Sequence, residues 1–95
     1  LQFRFMKIGR WWEKDCEIDI LAFGETGKCI VGECKWQAAK VGIGDLEHLK
    51  GAARKAKLTS PYHYLFSKSG FTGDLIKYAQ SDSFTTLIEL DDIQN

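Results

Sequence analysis

Two segments, Cys16–Phe23 (CEIDILAF), which alternates, and the returning Cys29–Trp36 (CIVGECKW), are joined by the glycine-rich turn Gly24–Lys28 (GETGK). A two-residue period is the signature of a strand with one face buried. A loop of about five residues between two such runs closes them as an antiparallel hairpin. This pairing constrains the chain more than any other feature, because register on an antiparallel pair fixes which side chains meet. Glu17 and Asp19 share one face of the first strand, with Leu21 and Phe23 further along. Glu33 and Lys35 share one face of the second, and Gln37 continues it. Opposed residues lie about 5 Å apart at Cβ, so Asp19 and Glu33 are expected to converge beside Lys35.

The rest of the chain reads around that hairpin. Residues 2–8 (QFRFMKI) alternate again and predict a strand, with Gly9 and Arg10 leading out of it. Asp45 suits a helix N-cap, and Leu46, Leu49, Ala53 and Ala56 follow as an apolar stripe to about Leu58, before Ser60-Pro61. Tyr62–Phe66 predicts a strand, Ser67–Gly70 a turn, Thr72 the cap of a second helix to about Gln80, and Phe84–Leu90 a final strand. Hairpin strands followed by alternating helices and strands imply an α/β (α+β) domain, a mixed sheet with helices on its faces.

At 95 residues the chain fits one small domain. It carries 13 basic and 13 acidic side chains, so no global basic charge announces a nucleic-acid partner and any such footprint must be local. The local candidate is Lys50, Arg54 and Lys57, a basic row on the flank of the first helix; the alternative is a solvated flank favoured by the helix dipole. Cys16, Cys29 and Cys34 are odd in number and contain no CxxC, which predicts reduced thiols and a cytoplasmic setting. With His48 and His63 they lack zinc-site spacing. No apolar run approaches the roughly 20 residues a membrane helix needs. Trp11, Trp12 and Trp36 are expected in the core rather than as base-stacking rings. Ser67–Gly70 is expected to be an ordinary turn rather than a phosphate loop. His48 is placed on the exposed side of its helix, without a partner.

Carboxylates in mid-sheet are costly unless something compensates, and carboxyl oxygens are the preferred ligands of Mg²⁺. A lysine beside them can stabilise developing phosphoryl charge. The pattern D-x(n)-E-x-K across two antiparallel strands resembles the PD-(D/E)xK nuclease superfamily. The strings IGRWW, EIDILA, GECKW and LFSKSGF resemble, more specifically, the domain of unknown function C-terminal to archaeal-type P-loop ATPases. The resemblance covers roughly residues 8–90. It implies a restriction-endonuclease-like fold and a Mg²⁺- or Mn²⁺-dependent endodeoxyribonuclease activity. Asp19 and Glu33 would be the metal ligands, Lys35 the catalytic base or charge stabiliser, and Glu17 and Gln37 flanking groups. It also implies DNA as partner and an attached P-loop ATPase, with residues 1–95 as the C-terminal part of a longer protein. A homodimer stays open, and no membrane partner is expected. Ile18 stands where the superfamily usually has Pro, and the helix that often supplies a further Glu would precede Leu1. The alternative is a catalytically degenerate module that binds DNA or a protein partner, and a weaker third reading is a purely structural or oligomerisation domain.

Overall fold

The structure is a computed structural model. It describes residues 5–13, 16–24 and 26–90, of which 5–8, 11–13, 16 and 17 are described by their backbone alone. Five strands, β1 (Phe5–Glu13), β2 (Cys16–Gly24), β3 (Cys29–Lys35), β4 (Tyr62–Ser67) and β5 (Thr85–Glu89), form one sheet in the order β1-β2-β3-β4-β5. The first three are antiparallel neighbours, whereas β3, β4 and β5 run parallel. The parallel pairs are joined through α1 (Ile43–Lys55) and α2 (Gly73–Gln80). The fold class is therefore the expected mixed-sheet α+β.

The central strand explains the sheet. β3 is buried from Cys29 through Glu33 because it is flanked by β2 and β4. Strand β4 alternates, with His63, Leu65 and Ser67 buried and Tyr62, Tyr64 and Phe66 half-buried. Parallel crossovers are almost always right-handed, and the two successive crossovers step in the same direction. Both helices consequently lie on one face, where Leu46 and Leu49 of α1 and Leu75 of α2 share a core with Val31 and Leu65. Each of these buried leucines contributes roughly 1.5–3 kcal/mol. The opposite face, carrying Ile20, Tyr64, Phe66 and Ile88, is covered by no helix among the described residues.

Several boundaries move for local reasons. β1 runs on through Gly9 and Arg10 to Glu13, because its pairing with β2 resumes at Trp11↔Ile18 after an irregularity. The N-cap of α1 is Gly42, not Asp45; Asp45 sits one turn in and accepts the Gly42 N–H at 2.9 Å, so it still supplies an orphan donor with a partner. The helix ends at Lys55, and Lys57 adopts φ 60° beyond it. Ala52 joins Leu46, Leu49 and Ala53 as fully buried, and Ala56 packs only partly. Thr72 caps α2 as expected, although its hydroxyl bonds to Asp74 rather than to a helix N–H.

Candidate active site

The β2–β3 ladder places Ile20 opposite Gly32 and Leu21 opposite Val31. One step further, Asp19 and Glu33 face each other at the point where ladder pairing stops. On the other side of β2, two steps of β1 from Gly9 to Trp11 match three steps of β2 from Leu21 to Ile18. β2 thus carries one extra residue between Ile18 and Leu21, a bulge. Bulges re-aim side chains, and this one lets Ile18 join the core together with Leu21. Asp19 keeps the face of Leu21, which is that of Val31, Glu33 and Lys35. The convergence expected from alternation is present.

Asp19 is fixed from two sides. Its Oδ2 accepts the Cys34 backbone N–H at 3.0 Å, bridging the strands where the ladder has opened. Its Oδ1 lies 3.7 Å from an Arg10 guanidinium nitrogen. Glu33 is the buried member, its side chain 9% exposed. Lys35 Nζ lies 3.2 Å from Glu33 Oε2. That contact is an ion pair without hydrogen-bond angles, and Oε2 accepts no hydrogen bond among the described residues. Helix α1 adds two groups that alternation along the strands could not show. Asp45 Oδ1 lies 3.9 Å from Lys35 Nζ, and His48 Nδ1 lies 4.0 Å from Glu33 Oε1. Their spacing of three residues puts both on the α1 face above the C-terminal end of β3.

The electrostatics follow from this packing. Burial pushes the Glu33 carboxyl above its ordinary range; Lys35 and His48 pull it down and Asp19 pushes it up, and burial prevails. The Cys34 thiol is raised by burial, then by the charges of Asp19 and Glu33, so it stays protonated and is no nucleophile at neutral pH. The Glu33 carboxylate is buried with the Lys35 ammonium as its near partner, and Asp19 is close enough for its charge to act on it. Mg²⁺ commonly uses one or two carboxylates and completes its shell with water and phosphate. Asp19 and Glu33 fit that demand. No larger set of three His, Cys, Asp or Glu ligands is assembled among the described residues.

The other sequence candidates are placed differently. Glu17 is described by its backbone alone, and its side chain lies outside the described residues. Gln37 lies past the end of β3, and its amide donates to the Ala39 carbonyl at 3.4 Å rather than to a carboxylate. Lys50 and Arg54 lie on α1, but Lys57 falls outside the helix, so the basic row has two members on the helix, not three. Trp36 is 62% exposed, with Lys68 Nζ 5.2 Å from its ring centroid, which corrects its expected place in the core. It is exposed because β3 ends at Lys35. The side chains of Trp11, Trp12 and Cys16 lie outside the described residues. Ser67–Gly70 is a turn closed on itself: Ser67 Oγ donates to the Gly70 carbonyl at 2.8 Å and accepts the Ser69 N–H. Cys29 and Cys34 are free thiols. No helix among the described residues is long and apolar enough to cross a membrane.

Comparison with known proteins gives the wider frame. The repair endonuclease from Pyrococcus abyssi superposes with a TM-score of 0.60 at 16% identity, over 90% of this chain and 38% of that one. A solved protein of unknown function superposes with a TM-score of 0.59 at 21% identity, over 92% of this chain and 49% of the other. At these identities the likeness is one of fold: the mixed sheet and its helices resemble those of the repair endonuclease. An uncharacterized protein of Methanocaldococcus jannaschii is 44% identical over 41 residues, which are 42% of this chain and 9% of that protein. The chain thus spans less than half the length of each of these relatives. The model of the DUF234 family, described as archaeal and bacterial proteins of unknown function, matches residues 1–49. That segment includes Arg10, Asp19, Glu33, Lys35, Asp45 and His48. Matched over more than half of its 95 residues, the chain belongs to the DUF234 family.

Proposed function

We propose that this chain is a nuclease-type domain that hydrolyses DNA phosphodiester bonds with Mg²⁺ or Mn²⁺. The observation that carries the reading is the buried Glu33, with Oε2 lacking a hydrogen bond, set between Asp19 and Lys35 on a nuclease-like fold. Asp19 and Glu33 would hold the ion, and a bound ion lowers the pKa of its water and so supplies a nucleophile. Lys35 stabilises the charge that develops on the phosphoryl oxygens. It is held within reach by Glu33 and Asp45, which face its ammonium at 3.2 and 3.9 Å. Cys34 N–H and Arg10 orient Asp19. Lys50 and Arg54 are the phosphate-contacting cations, and the exposed Trp36 ring beside Lys35 is available to an unpaired base. An attached P-loop ATPase and a cytoplasmic setting belong to the same reading; the free Cys29 and Cys34 suit a reducing compartment.

A second reading has its own observation. The Lys35 charge is already matched by two carboxylates, as in a self-neutralised ion cluster. On that reading the domain is a degenerate nuclease fold that docks DNA or a partner. Nicking of supercoiled plasmid in Mn²⁺ by wild type and Lys35→Ala decides between the two. The hydrolytic reading expects cleavage by wild type and none by a variant of unchanged melting temperature. DNA binding without cleavage by wild type would hand the assignment to the second reading.

A further inference from the structure

Helix α1 leads from the carboxylate cluster to a second concavity. It lies on the C-terminal side of His48, at the opposite ends of the parallel strands. An open cavity of about 330 Å³ lies there between α1, the Ser60-Pro61 turn, the start of β4, Tyr78 of α2 and the residues that follow α2. Its size is at the low end of small-ligand sites. Neither Asp19, Glu33 nor Lys35 lines it.

Its lining is unusual for a surface dent. His63 is 8% exposed, and its Nδ1 is buried without a hydrogen-bond partner. Native structures rarely leave such a group unpaired. Burial, then the nearby charge of Lys50, lowers the His63 pKa against the Phe84 backbone and Asp82, which raise it, so the ring is neutral at neutral pH. Phe84 is 39% exposed, and its ring stacks on Tyr62 at 4.7 Å between centroids and 22° between planes. Tyr62 thus backs one face of the Phe84 ring, and Phe84 lines the cavity. Lys50 Nζ donates to the Tyr78 hydroxyl at 2.6 Å on the α1–α2 side. Arg54, one turn further along α1, is close enough for its charge to act on His63 as well. The Asp82 carboxylate is taken up by the Phe84 N–H at 3.0 Å and the Thr85 hydroxyl at 2.8 Å.

These groups select a ligand class. An apolar ligand would waste the ammonium, carboxylate and imidazole. A bare inorganic anion has no use for an exposed ring. A ligand with a flat aromatic ring, a polar edge and an anionic tail uses the ring, the imidazole and the ammonium, while the Asp82 carboxylate is already taken up by its own donors. We propose that this cavity binds one nucleotide unit, its base stacked on Phe84, its edge toward His63 and its phosphate toward Lys50. The inference shares Lys50 with the proposed DNA contact but is separable from hydrolysis, because neither Asp19, Glu33 nor Lys35 lines the cavity.

The test is a fluorescence-anisotropy titration of the chain with a labelled single-stranded oligothymidylate in the presence of EDTA. Competitors are unlabelled oligothymidylate, an abasic strand of equal length, thymidine monophosphate and inorganic phosphate. Stacking on one aromatic ring is worth a loss of roughly 5- to 150-fold when the ring is removed. Phe84→Ala should weaken binding by that factor, and Phe84→Tyr should retain it. Phe84→Leu, which keeps an apolar side chain of similar bulk, should lose as much as Phe84→Ala and covers the case in which the alanine variant unfolds. The abasic strand should compete poorly. Displacement by thymidine monophosphate assigns the site to a free nucleotide, and displacement by the oligomer alone assigns it to a unit of a strand; in either case the His63 imidazole resonances should shift. An abasic strand that competes as well as oligothymidylate, unchanged affinity in Phe84→Leu, no binding by wild type, or unmoved His63 resonances on saturation would each overturn the proposal.

Discussion

Replacing Glu33 with Gln should stabilise the domain at neutral pH while removing its hydrolytic capacity. Burial raises the Glu33 pKa despite Lys35 and His48, so folding disfavours the ionised form. Between the unfolded value of about 4.3 and the higher folded value, the native state binds more protons than the unfolded chain. Stability therefore falls as pH rises through that window and stays at its lower level above it. Each pKa unit corresponds to about 1.36 kcal/mol. Gln has the same shape, cannot ionise, and keeps an oxygen facing Lys35. What it gives up is an ion pair whose ammonium is 31% exposed, worth under about 1 kcal/mol after screening. Because the raised Glu33 pKa already includes the pull of Lys35, the balance is a gain, and the melting temperature of Glu33→Gln should exceed that of wild type at neutral pH. Thermal denaturation of wild type and Glu33→Gln from neutral pH down through the carboxylate range measures it. The gap should close as the pH falls, because Glu33 is then protonated in both states. A variant less stable than wild type at pH 7, or a gap independent of pH, would show that Glu33 is a structural ion-pair partner and refute the reasoning.

Two further outcomes follow from α1. Asp45→Ala removes the acceptor of the Gly42 N–H and should cost about 1 kcal/mol, read by urea denaturation. Lys50→Ala combined with Arg54→Ala should weaken duplex DNA binding evenly across sequences and flatten the slope of log K against log salt by one to two units, at about 0.9 per phosphate contact. An unchanged slope would mean that this flank does not face DNA.

Residues 16–36 were legible because strand alternation and a glycine-rich turn act locally, and they bring Asp19, Glu33 and Lys35 together without reference to the rest of the fold. The approach of Asp45 and His48 was not legible. It depends on how α1 crosses the sheet, and no spacing between β3 and α1 encodes that. The bulge in β2 was equally silent, since the extra residue between Ile18 and Leu21 is visible only against the register of β1. Lys57 looked helical from its spacing to Lys50 and Arg54, but the chain turns into the left-handed region there. Trp36 read as core because aromatic area usually buries; the end of β3 one residue earlier leaves it outside. The Phe84–His63 cavity escaped notice because its walls come from four separate segments.

The central claim is that Asp19 and Glu33 form a metal-holding pair, and isothermal titration of Mn²⁺ into wild type, Asp19→Asn and Glu33→Gln tests it most directly. Saturable binding by wild type, lost in both folded variants and present in Lys35→Ala, is the predicted result. Wild type that takes up no Mn²⁺, or variants that bind it as wild type does, would contradict the account.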